Sequence, residues 1–130
     1  MANRTLAGYP QPVGEKYESL VDIDGPASYV NTGTFGTSGQ QINAADFGLG
    51  GFEIIGTDDL SSDGVNAVQV VLGATVAGAT SLATAPPAGS PGDVAKTAVI
   101  HWYTSPSSGT EVANGVNLSG KYVRLQIRGV

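Results

Sequence analysis

From residue 121 to residue 128 the chain alternates without a break. Val123, Leu125 and Ile127 fall on one face, and Tyr122, Arg124, Gln126 and Arg128 on the other. Only an extended strand sends successive side chains to opposite faces, so this stretch demands a sheet with one side on a core. Residues 97–103 make a second such piece, dense in β-branched and aromatic residues, with Ala98, Ile100 and Trp102 on one side. Ser105-Pro106-Ser107-Ser108-Gly109 is a turn cluster that lets the chain reverse into Thr110-Glu111-Val112. These pieces read as the closing strands of an antiparallel β domain. Ile100, Trp102, Val123, Leu125 and Ile127 are expected to share its core.

Upstream, the same punctuation repeats about every ten residues. A strand is expected over 16–23, with Tyr17, Val21 and Ile23 on one face, ended by Asp24-Gly25-Pro26. Others are expected over 28–35, with Tyr29, Asn31, Gly33 and Phe35 on one side, and over 51–56. A further strand over 65–72, with Val68, Val70 and Leu72 on one face, follows the Asp63-Gly64 reversal. Residues 42–48 admit one helical turn, with Asn43 as N-cap and Gly48 just past its end. Gly and Pro fill a fifth of the chain, which favours short strands and many turns over helices. The fold class is all-β: an antiparallel β-sandwich or jelly roll formed by a single domain over 16–130.

Two segments break the pattern. Residues 1–15 carry Gly8, Pro10, Pro12 and Gly14, spaced so that neither helix nor ladder is expected to persist. They read as an extended N-terminal arm whose Leu6, Tyr9 and Val13 are candidates for contact with a neighbouring subunit. Residues 73–93 form a long Ala/Pro/Gly-rich loop in which 74–82 is at most a weak strand and Pro86, Pro87 and Pro91 forbid regular structure. A loop of that length tends to be functional or mobile.

Charge narrows the partners. Only 13% of residues are charged and the net charge is −5, which argues against nucleic acid as the main partner. Lys96, Lys121, Arg124 and Arg128 are four of the six basic residues, while most acids precede Asp63. That asymmetry fits either a solvated face or charge-complementary docking, in which Arg124 and Arg128 are the candidate contacts. There is no cysteine, so thiolate chemistry and disulfides are excluded. No run of 18 apolar residues and no signal-peptide core is present, so no membrane partner is expected and synthesis is expected in the cytoplasm.

No motif assembles a catalytic or cofactor site. Asp46-Phe47-Gly48 spells a kinase metal triplet without the rest of that set. Gly48-Leu49-Gly50-Gly51 lacks dinucleotide spacing and precedes a strand, so it reads as a tight turn. Asp58, Asp59 and Asp63 offer oxygens but not the alternating pattern of a calcium loop. His101 is the single histidine and reads as structural or surface-facing. Trp102 is expected in the core; if exposed, Trp102, Tyr103 or Tyr122 would suit stacking on a sugar. No enzyme, metal or cofactor is therefore expected.

Two stretches carry a resemblance: Tyr29-Val30-Asn31-Thr32-Gly33-Thr34-Phe35, running on through Gly36 to Leu49, and Gly109-Thr110-Glu111-Val112-Ala113-Asn114-Gly115-Val116-Asn117-Leu118-Ser119-Gly120 with the closing Val-Arg-Leu strand. Together, about half of the chain resembles small virion proteins of tailed bacteriophages. The resemblance implies a capsid decoration, or cement, protein that binds the outer shell and stabilises it. It implies the major capsid protein as partner and the virion surface as location. A homo-oligomer follows, most simply a trimer matched to three-fold points of an icosahedral shell. The alternatives are a tail or head–tail component, or a carbohydrate-binding β-sandwich module.

Overall fold

A computed structural model of the chain describes residues 3–13, 16–78 and 94–130. Among the described residues eight strands follow in order: β1 (Asn3–Thr5), β2 (Gln11–Val13), β3 (Lys16–Asp24), β4 (Gln40–Asn43), β5 (Phe52–Thr57), β6 (Val68–Leu72), β7 (Thr97–Trp102) and β8 (Tyr122–Gly129). One sheet has the order β1-β3-β8-β5, with β2 also on β3; the other has β4-β7-β6. All the strand pairings are antiparallel. β3 and β5 flank β8 in one sheet, while β4 and β6 flank β7 in the other, so the chain changes sheet at each step from β3 to β6, stays in one sheet for β6 and β7, and crosses back at β8. The two antiparallel sheets pack as an all-β sandwich.

The alternation over 121–128 decides the core. Val123, Leu125 and Ile127 of β8 are fully buried with Val21 and Ile23 of β3, and they face Ala98, Ile100 and Trp102 of β7. Ile42, Phe52 and Val68 complete this layer. Each fully buried aliphatic or aromatic side chain is worth about 1.5–3 kcal/mol of transfer free energy, which makes this layer the main source of stability.

β7 is buried along both faces. Its outer face, Thr97, Val99 and His101, is covered because the chain between β3 and β4 folds back over it. Gly39 (φ +114°) passes so close to Val99 that a Cβ there would strike the valine side chain, which leaves glycine as the fitting residue. The Phe35 ring stacks on the His101 ring, with centroids 3.9 Å apart.

Four expectations need correction. Residues 28–35 are not a strand. Asn31 Oδ1 accepts from the Gly33 N–H, and Ser38 Oγ accepts from the Thr32 N–H while donating to the Thr34 carbonyl. Such local side-chain bonds compete with a ladder, and the segment ends in a 3-10 turn over Phe35–Thr37. Asn43 does stand at the N-cap position of a 3-10 turn over Ala44–Phe47, and Gly48 ends that turn at φ +74°, but the Asn43 side chain makes no capping bond because its Oδ1 accepts from Gln41. β6 starts at Val68, not at 65, and its apolar face tapers from buried Val68 to exposed Leu72.

The fourth correction concerns the N-terminal arm expected over 1–15. β1 and β2 both pair with β3, in the registers Thr5↔Val21 and Gln11↔Glu18. The Leu6 N–H donates to the Leu20 carbonyl between them. Together they act as one interrupted edge strand. An edge tolerates Pro12, whose missing N–H is needed only by a central strand. Of the long loop expected over 73–93, residues 79–93 lie outside the described residues. Before them, Thr97 ties the chain down: the Gly73 N–H donates to the Thr97 carbonyl at 2.8 Å and Thr97 Oγ1 donates to the Ala74 carbonyl at 2.7 Å.

Candidate functional site

Register gathers three long connections at one end of the sandwich. Asp24 sits opposite Tyr122, Gln40 opposite Ile100, and Val68 opposite Trp102. The connections over 25–39, 58–67 and 103–121 therefore leave the sheets together. Nine large apolar residues are exposed among the described residues, and five of them, Val30, Phe35, Leu60, Val65 and Val116, lie on these loops. The apolar surface is thus concentrated at this end.

Buried polar side chains hold these loops in place. Tyr29, wholly buried, donates its phenolic proton to Glu111 Oε2 at 2.5 Å and accepts from the Trp102 N–H at 3.0 Å. Burial, and then the bond to Glu111, push the Tyr29 phenol well above its ordinary range. The same Glu111 oxygen lies 3.2 Å from His101 Nδ1. The Tyr29 backbone pairs with Gly115 and Val116, and Asn31 bonds to Asn114 and to the Val112 carbonyl. The two loops are thereby one unit.

Asn66 does the same for the third loop. Its Nδ2 donates to the Tyr103 carbonyl and its Oδ1 accepts from Lys121 Nζ at 2.6 Å. Asp63 accepts from Ser61 Oγ, from the Val65 N–H and from Lys121, and those bonds lower its carboxyl to about 2.

The residues singled out from sequence as contacts do not converge on this end. Leu6 and Tyr9 are half-buried in the link between β1 and β2, and Val13 closes β2 opposite Lys16. Arg124 and Arg128 share the outer face of β8, four residues apart. Each faces an acid of β3: Arg124 grips both oxygens of Asp22 at 2.8 and 3.1 Å, and Arg128 lies 3.9 Å from Glu18. The acidic first half and the basic end of the sequence thus meet within one molecule.

No protein-family model, curated protein or solved structure matches this chain.

Trp102 is fully buried and donates its indole N–H to Gln40 Oε1, so its ring is not a platform for a ligand. Tyr103 donates to Gln69, and Tyr122 carries the Arg4 guanidinium 5.4 Å above its ring. His101 proves buried, not surface-facing. Among the described residues no group of three or more His, Asp and Glu is arranged to hold a metal ion. Val30 and Val116 carry no signal in the sequence because they sit singly among turn residues, where no periodicity marks them, and the apparent period of two over 28–35 placed Phe35 on a strand face instead of an exposed loop. A large apolar residue flanked by Gly and Thr, such as Phe35, is the cue that was there to use.

Proposed function

We propose that this chain is a structural virion protein of a tailed bacteriophage, a decoration protein that binds the outer face of the capsid as a trimer. One observation carries the reading. The two stretches that resemble small virion proteins, 29–49 and 109–120, are joined to each other at the loop end through Tyr29, Asn31 and Glu111. They hold Val30, Phe35 and Val116 out to solvent. Loops that are already fixed lose little entropy on docking, and exposed apolar side chains set in a polar frame are the usual make-up of a contact surface. The low charge content supports the same reading. The partner is the major capsid protein, the location is the virion surface, and synthesis is in the host cytoplasm.

The test is binding of purified protein to mature, expanded capsids. Saturable binding is expected, and a Val30→Asp/Val116→Asp double variant should bind at least about tenfold more weakly at unchanged melting temperature. Absence of binding at saturating protein, or full binding by the double variant, overturns the proposal.

A further inference from the structure

Beside the 58–67 loop a lysine, an asparagine and a carboxylate stand in one cluster. Lys121 is the residue before β8 and Asn66 lies two residues before β6, so the pair bridges the two sheets. Lys121 Nζ donates to Asn66 Oδ1 at 2.6 Å and lies 3.0 Å from Asp63 Oδ2. With a C=O bond of about 1.2 Å, any hydrogen-bonding angle then puts Nζ about 2.9–3.8 Å from Asn66 Cγ. Reacting atoms held about 3–3.5 Å apart are near the geometry of attack. Both partners are fixed. Asn66 is 5% exposed, its Nδ2 donates to the Tyr103 carbonyl, and its N–H donates to Ser61 Oγ. The Lys121 N–H donates to the Leu118 carbonyl, and the Lys121 carbonyl accepts from the Gly25 N–H. Ser61 Oγ in turn donates to Asp63 Oδ1, which leaves Oδ2 for the amine.

We propose that Lys121 and Asn66 join in an intramolecular isopeptide bond, with Asp63 carrying the proton. Nζ, as the neutral amine, attacks Asn66 Cγ. The Nζ–Cγ bond forms, the Cγ–Nδ2 bond breaks, and Nδ2 leaves as ammonia. Asp63 Oδ2 takes the proton that Nζ gives up and returns it to the departing nitrogen. Nothing is oxidised or reduced, and no co-reactant is needed. Counted from the ammonium form of Lys121, the products are the new amide and an ammonium ion. One amide replaces another, and release of ammonia into dilute solution drives the closure. Asp63 is a weak base, because Ser61, the Val65 N–H and Lys121 hold its carboxyl at about 2. Closure is therefore slow, and freshly folded protein carries the open pair. The product ties the start of β8 to the start of β6 across 55 positions of sequence. A cross-link of that span restricts the unfolded chain as a disulfide does, in a protein that has no cysteine to form one.

The experiment is intact-mass and peptide-mapping mass spectrometry of the whole chain, fresh and after about a week at about pH 9 and about 37 °C, where more amine is neutral. Wild type should accumulate a form lighter by one ammonia, in at least about a tenth of the molecules. Digestion of that form should yield a branched peptide joining residue 66 to residue 121, and it should melt higher than the open form. Lys121→Arg keeps a cation beside Asp63 but has no amine to attack, and should give neither product. Asp63→Ala should form the branched peptide at least about tenfold more slowly. An unchanged wild-type mass would overturn the proposal. So would a loss of ammonia that persists in Lys121→Arg, since cyclisation at Asn114-Gly115 gives the same mass without a branched peptide. Formation at the wild-type rate in Asp63→Ala would overturn the proton route through Asp63.

Discussion

The hydroxyl of Tyr29 lies 2.5 Å from the carboxylate of Glu111, 82 residues further along the chain, and this bond locks the two loops together. Phe at position 29 would keep the ring and remove the bond, leaving the Trp102 N–H without its acceptor. Tyr29→Phe should therefore cost about 1–3 kcal/mol in denaturant unfolding, the penalty for unsatisfied buried polar groups. It should also change the alkaline limb. The folded phenol resists ionisation while the unfolded one ionises near its ordinary value of 10.0. Stability from this group is thus present below pH 10 and falls as pH rises beyond it. The wild-type protein should lose more stability than Tyr29→Phe between pH 9 and pH 11; parallel loss in both would show that Tyr29 plays no part.

Arg124 and Asp22 are cross-strand partners in register, so a charge reversal at either should be felt in folding and not only in docking. Arg124→Glu sets two acids opposite each other and should lower the melting temperature. Adding Asp22→Arg should recover most of the loss, with a smaller effect at high salt. If the double reversal is no better than the single one, the pair does not couple.

What could be read in the sequence follows from periodicity. Val123, Leu125 and Ile127 repeat every two residues, and their burial followed directly. Tyr29 and Phe35 also fit a period of two, yet one is buried and the other half exposed. The Asn, Thr and Ser residues around them bond locally, and that competition has no periodic signature. The loop end was not legible for a related reason. It depends on Glu111 meeting Tyr29 and on Asn66 meeting Lys121, contacts between residues far apart in the chain. The charge asymmetry was visible, but it serves pairing between β3 and β8.

Asp63 predicts an acid limb. Its carboxyl, lowered from 3.8 to about 2 by Ser61 Oγ, the Val65 N–H and Lys121, favours the folded state only while ionised. That contribution is present above pH 3.8 and is lost as pH falls through about 2. The group is exposed, so the effect is small and local. Asp63→Asn should melt slightly lower than wild type at neutral pH, with the gap closing in acid. The Val65 amide shift should titrate with a midpoint near 2; a midpoint at the ordinary 3.8 would refute the loop geometry.

The N-terminal strands give the last prediction. Residues 3–13 form the outer edge of the five-stranded sheet, with Arg4 paired to Asp24 and stacked on Tyr122. Their side chains are mostly exposed, so little apolar burial is at stake and the ladder bonds dominate. A few such bonds at about 0.5–1.5 kcal/mol each, offset by ordering entropy, come to about 1–3 kcal/mol. Deleting residues 1–13 should therefore lower the melting temperature by roughly 3–5 °C per kcal/mol lost. It would also bare the edge of β3, a nine-residue strand, and an unpaired edge of that length invites pairing between molecules. The truncated protein should self-associate in light scattering at concentrations where the full chain does not. An unchanged melting temperature without association would mean that residues 3–13 do not hold the edge in solution.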